Sequence, residues 1–289
     1  MKKIAYYPGC TLKTTAANFE ESAIESMKKF DIELEELDRW NCCGTVFSLA
    51  TDDLMHHIAA IRNLIRVKEE KSNQVMTLCA MCYNTLKRSN QRVKSNQEDL
   101  DKINDFMYKE DLNYNADVDV LHLLPYLRDE ITFSKIAKRV KKSLNDIKFS
   151  AFYGCTLLRP KEIQIDDPFM PTILENLITA LGGETVETPY AIECCGAYQT
   201  VNQVDVVVER TKVIIDGARN QGAEAIVTSC PLCAFNLDHR QKETKKKYSK
   251  FIEMPVFYFT ELLAYGLGIE FKKEWKDLHY VDPLSIFKN

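Results

Sequence analysis

Asn41-Cys42-Cys43-Gly44 and Glu193-Cys194-Cys195-Gly196 carry the same Cys-Cys-Gly triplet at two distant places in the chain. A lone cysteine precedes each triplet, with 31 residues between Cys10 and Cys42 and 38 between Cys155 and Cys194. A Cys-x-x-Cys pair follows each triplet, with 35 residues between Cys43 and Cys79 and 34 between Cys195 and Cys230. The two pairs are Cys79-Ala80-Met81-Cys82 and Cys230-Pro231-Leu232-Cys233. Repetition at this distance predicts two copies of one structural unit, and the two copies use all ten cysteines.

A short predicted strand leads into each cysteine motif. The predicted strands are 4–7, 34–37 and 75–78 in the first copy, and 149–153, 185–186 and 225–228 in the second. Each of these strands ends a few residues before a cysteine. Since open α/β sheets bind ligands at the carboxyl ends of their strands, the pattern predicts one ligand site in each copy.

Apolar residues recur at helical spacing between these strands. The sets are Phe19, Ala23, Met27 and Phe30; Leu54, Ile58, Ile61 and Ile65, in a helix beginning near Asp52; Ile173, Leu177, Ile178 and Leu181; and Val204, Val208, Ile215 and Ala218. Alternating strands and helices predict an α/β fold of two pseudo-symmetric tandem domains, each with a small parallel sheet flanked by helices. We place the N-terminal domain at residues 1–147 and the C-terminal domain at 148–289.

Composition narrows the class of protein. Lys and Arg number 38 against 42 Asp and Glu, a net charge of −4, which gives no electrostatic footprint for nucleic acid. No run of about 18 uncharged apolar residues predicts insertion into a membrane. The run at 4–7 stops at Pro8 and is too short for a signal peptide, so we expect a cytoplasmic protein. Disulfides are rare in that compartment, and the thiols are expected to bind metal or to be redox-active.

Five thiols in each copy exclude the simplest uses of cysteine. Structural zinc takes four ligands, and adjacent cysteines do not easily point at one small ion. The spacing of bacterial ferredoxins is absent. A thioredoxin-like site would use only one Cys-x-x-Cys pair. The spacing therefore favours an iron–sulfur cluster in each copy, with zinc as the alternative.

The pattern resembles the CCG, or cysteine-rich, domain family, and the whole chain resembles the catalytic B subunits of heterodisulfide reductases. The resemblance implies one non-cubane [4Fe-4S] cluster in each copy, with zinc at one motif as the alternative. It also implies two α/β halves that face one another with a substrate disulfide between their clusters. The implied ligands are Cys10, Cys42, Cys43, Cys79 and Cys82, and then Cys155, Cys194, Cys195, Cys230 and Cys233.

The resemblance further implies reduction of a small-molecule disulfide, of the coenzyme M–coenzyme B type or another, by two one-electron transfers. No side chain is assigned as acid or base, because no catalytic Ser/His/Asp constellation is evident. The implied partners are a C subunit with cubane [4Fe-4S] clusters and a flavin-bearing A subunit, in assemblies of the type that performs electron bifurcation in anaerobic metabolism. Two alternatives stay open: an electron-transfer subunit of such a complex or of a quinone-linked hydroxyacid dehydrogenase, and a zinc-stapled interaction module.

Several other residues receive ordinary structural interpretations. We interpret His56, His57 and His239 as surface or capping residues. Tyr83 and Tyr198 are interpreted as packing residues, and Asn84 and Asn236 as polar residues of turns or early helices. The tail from Lys272 to Asn289, with exposed-looking Trp275, Tyr280 and Phe287, either docks a partner or packs on its own domain.

Overall fold

The computed structural model describes residues 1–45 and 53–287, and its strands form two four-stranded parallel sheets. The strands are β1 (Lys2–Tyr6), β2 (Ile32–Glu36), β3 (Gln74–Thr77), β4 (Asp119–His122), β5 (Lys148–Phe152), β6 (Glu184–Thr185), β7 (Ala225–Thr228) and β8 (Val256–Tyr258). Their order is β2-β1-β3-β4 in the first sheet and β6-β5-β7-β8 in the second. The two sheets share one topology, which confirms the predicted pair of α/β units.

Helices connect the strands and cover the sheets. They are α1 (Ala17–Lys28), α2 (Ile58–Glu69), α3 (Ala80–Ser95), α4 (Gln97–Phe106), α5 (Leu123–Tyr126), α6 (Phe133–Ala137), α7 (Ile173–Ala180), α8 (Val204–Asn220), α9 (Pro231–Ala234), α10 (Gln241–Lys247), α11 (Phe259–Gly266) and α12 (Lys273–Lys276). The predicted start of the second helix, near Asp52, lies outside the described residues. Within them, a 3-10 turn at Leu54–His57 leads into α2.

The strand order creates one crevice in each sheet. In the first sheet β1 pairs with both β2 and β3, so successive connections leave from its two sides. Such a switch in strand order opens a crevice at the carboxyl ends of the two central strands. Cys10 follows β1 and Cys79 follows β3 at this edge, and Cys155 and Cys230 follow β5 and β7 in the same way.

The central strands are apolar because both faces of each sheet are covered. All four residues of β7 are buried, as are the last three of β3. The buried apolar side chains of both sheets belong to one continuous core.

Helices of the two halves pack against each other across the interface. Helix α1 of the first half packs along α11 of the second, where Ser22 Oγ lies 2.6 Å from Thr260 Oγ1 and the Phe19 ring stacks on Tyr258 with centroids 4.3 Å apart. In return, α7 of the second half packs against α6 of the first. Each half therefore completes the packing of the other. These contacts do not locate a boundary between two domains, and the boundary at 147/148 stays a prediction.

Candidate functional site

The fold brings the cysteines of the first half together at the carboxyl edge of its sheet. Cys43 Sγ lies 3.6 Å from Cys82 Sγ, and the thiols of Cys42 and Cys79 are hydrogen-bonded neighbours of these two. Cys10 lies close enough to Cys42 for their charges to interact. Cys10 and Cys42 are exposed, whereas the other three thiols are buried, so this set reaches from the core to the surface.

The second half repeats the arrangement. Cys195 Sγ lies 3.4 Å from Cys233 Sγ, and hydrogen bonds link Cys194 to both Cys155 and Cys195 and link Cys230 to Cys233. Cys194 is exposed and Cys155 is half-buried. All five cysteines of this copy therefore form one chain of contacts. Across residues 1–45 and 53–287, no three His, Cys, Asp or Glu side chains are grouped as ligands of a single metal ion.

Crowding of the thiols stabilises a thiolate in each set. Hydrogen bonds from Cys42 and Cys82 lower the pKa of Cys43, and those from Cys155 and Cys195 lower the pKa of Cys194. The pKa of Cys155 is raised, because its thiol donates to the thiolate of Cys194. Thiolates are the form of cysteine that binds metals, so both sets are suited to metal ligation.

Glycines allow the first loop of each half to approach a buried thiol. Gly9 has a φ of +75°, and a Cβ atom at this position would lie 2.7 Å from Cys82 Sγ. Gly154 has a φ of +66°, and its Cβ would lie 3.1 Å from Cys233 Sγ. The Gly-Cys dipeptides of the two copies are therefore required by the close approach of backbone to sulfur.

Unpaired hydroxyls lie beside both cysteine sets. Thr77 and Thr228 stand two residues before Cys79 and Cys230, and their buried hydroxyls have no hydrogen-bond partner among the residues that the structure describes. The same holds for the buried hydroxyl of Ser229, which precedes Cys230. Buried hydroxyls usually find partners, and these are free to donate to a sulfide-bearing group. Together with five thiols per set, they fit an iron–sulfur cluster.

The two sets meet at Tyr198. Its hydroxyl donates to the sulfur of Met81, which stands between the first Cys-x-x-Cys pair, at 3.7 Å. Burial raises the pKa of Tyr198, and so does its proximity to thiols of both sets, among them Cys155 of the second and Cys43 of the first. The interpretation of Tyr198 as a packing residue therefore misses its position between the two sites.

Asn84 and Asn236, interpreted from the sequence as polar residues of turns or early helices, make specific hydrogen bonds at the two sites. Asn236 donates to the carbonyl of Cys195 at 3.2 Å and to its sulfur at 3.7 Å. Its spacing of three residues from Cys233 on the same helical segment is the signal that could have indicated this role. Asn84 instead crosses to the other half, where its amide donates to the carbonyls of Thr156 and Arg159 at 2.7 and 2.8 Å.

Comparison with known proteins agrees with this geometry. Residues 4–87 and 149–238 match the cysteine-rich domain, CCG, and these two segments contain all ten cysteines. The chain belongs to the CCG family.

Proteins similar to this CCG chain over nearly their whole length are named as components of oxidoreductases. An 8-methylmenaquinol:fumarate reductase membrane anchor subunit from Wolinella succinogenes is 30% identical, over 99% of both chains. A protein from Archaeoglobus profundus, named for its likeness to the B subunit of heterodisulfide reductase, is 27% identical, over 94% of this chain and 93% of that one. The B subunit of a ferredoxin/F420H2-dependent CoB-CoM heterodisulfide reductase from Methanosarcina acetivorans is 24% identical, over 93% and 90%.

A solved structure supports the fold of this family member. A hypothetical protein from Helicobacter pylori superimposes with a TM-score of 0.78 over 96% of this chain, at 12% sequence identity. This chain spans about half of that structure, 52% of its length. Within the described residues, no helix combines the length and the apolar character needed to cross a membrane.

The three histidines interpreted as surface or capping residues differ in their surroundings. His56 is partly exposed and pairs with Asp53 at 2.8 Å, and His239 is partly exposed as well. His57 is not a surface residue. It is buried, and its Nδ1 lies 2.8 Å from Ser89 Oγ. The expectation for His57 is wrong because the turn before α2 directs its side chain against α3.

The C-terminal tail lies beyond both CCG segments and packs on the chain itself. Trp275 is buried, contrary to expectation, and its indole donates to Glu21 of α1 at 2.8 Å. Phe287 stacks on Tyr265 with ring centroids 4.1 Å apart. Tyr280 remains partly exposed and donates to Glu253 at 2.7 Å. The tail thus closes against both halves, and a docking role for it stays a prediction.

Proposed function

We propose that this chain is the iron–sulfur subunit of a heterodisulfide reductase-like complex and that it reduces a disulfide. Each five-cysteine set would hold one non-cubane [4Fe-4S] cluster. The proposed ligands are Cys10, Cys42, Cys43, Cys79 and Cys82 for the first cluster, and Cys155, Cys194, Cys195, Cys230 and Cys233 for the second.

The observation that carries the proposal is the convergence of the two sets on Tyr198. Its hydroxyl bonds to Met81 of the first half, while thiols of both halves act on it electrostatically. A disulfide has two sulfurs and takes up two electrons on reduction. Two sites that share one region of the protein are suited to such a substrate, because each can act on one sulfur.

Clusters of this kind, when bound, would supply the two electrons singly and offer iron to the soft sulfur atoms of the substrate. The protein itself would bind and orient the disulfide. Cys10 and Cys42 in the first set and Cys194 in the second are exposed, so solvent reaches both sites without a rearrangement of the core.

A groove beside Cys194 suggests the charge of the substrate. It has a volume of about 540 Å³ and is lined by Arg159 and Arg210 as well as by Cys194. Arg210 is paired with Glu193, whereas the exposed Arg159 side chain has no ion pair within the described residues. Because Arg binds carboxylate, sulfonate and phosphate groups, we propose a disulfide with at least one anionic substituent.

The electrons would come from another polypeptide. Two sets of five use all ten cysteines, so none remains for a further cluster. The proposed partners are a protein with cubane [4Fe-4S] clusters and a flavoprotein, similar to the C and A subunits of heterodisulfide reductases. The similarity to the B subunit of the Methanosarcina acetivorans heterodisulfide reductase supports assignment to a multi-subunit oxidoreductase.

A second candidate function is electron transfer without a disulfide substrate. The relative from Wolinella succinogenes, named as part of an 8-methylmenaquinol:fumarate reductase, is 30% identical over 99% of this chain. This chain would then relay electrons between a quinol-linked partner and another subunit. The same two cysteine sets would serve, but Arg159 and its groove would have no substrate.

Metal analysis and EPR spectroscopy test these functions. Anaerobically purified protein is analysed for iron, sulfide and zinc, and spectra are recorded before and after adding an anionic thiol or disulfide. Disulfide reduction predicts about eight irons per chain and a spectrum that changes with the additive. The same iron content with no spectral change would favour electron transfer. Stoichiometric zinc without iron, after attempted reconstitution, would refute both.

Single substitutions test the ligand assignment. Cys43→Ser and Cys195→Ser should each lose the iron of one set, about half of the total, while the circular dichroism spectrum keeps its shape. Met81→Leu is the matched control, because Met81 lies within the first Cys-x-x-Cys pair but is not a proposed ligand. If both cysteine variants retain full iron, these two residues are not ligands.

A further inference from the structure

An exposed turn between β5 and α7 presents two large apolar side chains to solvent. Phe169 is 76% exposed and Met170 is 78% exposed, and they stand next to each other between Pro168 and Pro171. Single exposed apolar residues are ordinary at protein surfaces, whereas adjacent ones form a patch of the kind that marks interaction sites. We call residues 166–172 the apolar turn.

Two carboxylates hold the apolar turn in one conformation. Asp167 Oδ1 accepts the backbone N–H groups of Phe169 and Met170, both at 2.8 Å. Asp166 Oδ2 accepts two further backbone N–H groups, where the turn enters α7, at 2.7 and 2.8 Å. Because the backbone is already fixed, little conformational entropy is lost when a partner buries the two apolar side chains. The turn also carries two negative charges beside its apolar tip at neutral pH.

A groove on the first half of the chain has an apolar floor. It has a volume of about 460 Å³ and lies at the amino ends of β1 and β2, at the end of the sheet opposite to the cysteine motifs. Phe30, Ile32 and Ile131 line it together with the ring of Tyr126. The groove is therefore large enough, and apolar enough, to take up a Phe and a Met side chain.

The charged groups of this groove are mostly cations. Its lining includes four cations and two carboxylates, namely Lys2, Lys135, Lys138 and Arg139 with Asp31 and Glu130. Lys135 and Lys138 are exposed and have no ion pair within the described residues. Arg139 lies 4.9 Å from the centre of the Phe30 ring and donates to the Lys29 carbonyl. This basic groove is thus complementary in charge and polarity to the acidic, apolar turn.

The apolar turn and the basic groove are carried by neighbouring elements. Arg128 donates at 3.1 Å to the carbonyl of Ile165, just before the turn, and it belongs to the helical segment Leu127–Ile131, which lines the groove. Helix α6, which carries Lys135, packs against α7, which begins where the turn ends. A surface that holds a projection beside its complementary groove is self-complementary, as the interface of a two-fold symmetric dimer must be.

We propose that two copies of this chain form a symmetric dimer in which the apolar turn of each copy enters the basic groove of the other. Phe169 and Met170 are buried against the groove floor, and the two carboxylates of the turn face Lys135 and Lys138. Because each copy uses one turn and one groove, the interface holds two identical contacts and closes without forming longer assemblies. Neither surface contains a cysteine, so the inference is independent of the proposed function.

The first test measures association of the full-length protein, purified anaerobically. Sedimentation equilibrium should show the wild-type chain shifting from monomer to dimer as its concentration rises. The association should weaken several-fold at high salt, since exposed charge pairs are screened. A wild-type chain that stays monomeric at about 1 mM, where a contact of only millimolar affinity is half formed, would overturn the inference.

Substitutions in the two surfaces test where the copies meet. Phe169→Ser with Met170→Ser removes the apolar tip of the turn, and Lys135→Glu with Lys138→Glu reverses the charge at the groove. Each pair should weaken the dimer by about tenfold or more. All four side chains are exposed, so the circular dichroism spectrum should not change. A dimer that persists unweakened in both pairs would form through another surface and would overturn the inference.

Matched controls use exposed residues outside both surfaces. Ile252→Ser removes a different apolar side chain, which is 57% exposed. Lys242→Glu with Lys246→Glu reverses two exposed lysines of α10. Neither control should change the association. If the controls weaken the dimer as much as the surface variants do, the contact between turn and groove is wrong.

Chemical cross-linking identifies the contact in the wild-type protein. A carbodiimide joins a carboxylate to a lysine amine where the two groups touch, and a mixture of isotope-labelled and unlabelled copies shows by mass spectrometry which links join different copies. Links from Asp166 or Asp167 of one copy to Lys135 or Lys138 of the other should appear. Links between copies that all join other residues would overturn the inference.

Discussion

The side chain of Asn84 donates a hydrogen bond to the backbone carbonyl of Arg159, 2.8 Å away in the other half of the molecule. Asn84 follows the first Cys-x-x-Cys pair by two residues, and Arg159 follows Cys155 by four. The same amide also holds the Thr156 carbonyl. The Asn84 side chain therefore holds the loop that follows Cys155 in the second half against α3, the helix that follows Cys79 in the first half.

Asn84→Ala should destabilise the contact between the halves. The substitution leaves two carbonyls without their donor, and a lost partner of this kind costs about 1–3 kcal/mol of unfolding free energy. Urea unfolding at pH 7 measures the change. Asn176→Ala is the control, because Asn176 is exposed and its side-chain amide donates to Thr172, the residue just before its own helix α7. Equal effects of the two substitutions would mean that the bridge contributes nothing specific.

Local patterns in the sequence were sufficient to predict the units of the fold. The cysteine repeat indicated two copies, and the alternation of short strands and amphipathic helices indicated two parallel sheets. Helix α8, with Val208 and Ile215 buried on one face, lies where its spacing predicts. These features depend on residues close together in the chain, so no knowledge of tertiary contacts was needed.

Features that depend on distant residues could not be predicted in the same way. Trp275 looked exposed because it stands in a charged segment, yet its partner Glu21 lies 254 residues away. The contacts of Asn84 and Tyr198 likewise join the two halves. Nothing in the local sequence specifies that α1 packs along α11, and that packing determines which surfaces are buried.

The two loop glycines should differ in their tolerance of alanine. Gly9→Ala forces a Cβ to within 2.7 Å of Cys82 Sγ in a left-handed backbone, so it should both destabilise the protein and reduce the iron bound by the first set. Gly222→Ala is the matched control, since its φ is +87° but no atom of the described residues lies within 4 Å of the added Cβ. Gly222→Ala should lower the free energy of unfolding only by the cost of a Cβ in a left-handed backbone, about 1–2 kcal/mol. Equal iron content in both variants would contradict the role of Gly9.

The His279–Glu261 pair should make stability depend on pH. Burial lowers the pKa of His279, but the charge of Glu261 and its hydrogen bond outweigh burial and raise the pKa above its ordinary value. Because the pKa of His279 is higher in the folded state, the pair contributes fully to the free energy of unfolding below the pKa of the unfolded chain, about 6.5. That contribution is lost as the pH rises through the pKa of the folded state. Unfolding free energy measured from pH 5 to 9 should therefore fall with pH in the wild type and fall less in His279→Gln.

Glu21→Gln provides a control of opposite sign. The hydrogen bond from Trp275 lowers the pKa of Glu21, so its contribution is present above the unfolded pKa and is lost as pH falls through the folded one. This substitution should alter stability below about pH 5 without changing the slope above pH 6.5. An unchanged slope in His279→Gln would show that His279 does not titrate with folding.

The hydrogen bond from Asn236 to Cys195 should distinguish the potentials of the two proposed clusters. In the first half the equivalent position is Thr85, whose hydroxyl donates to the Met81 carbonyl. Hydrogen bonds to ligand sulfur stabilise the more negative, reduced form of an iron–sulfur cluster and raise its reduction potential. Asn236→Leu should therefore lower the potential of the second cluster alone in an EPR-monitored redox titration. Thr85→Val is the control at the equivalent position of the first half, and it should leave the potentials of both clusters unchanged. If the two substitutions shift the potential of the second cluster equally, Asn236 has no specific role.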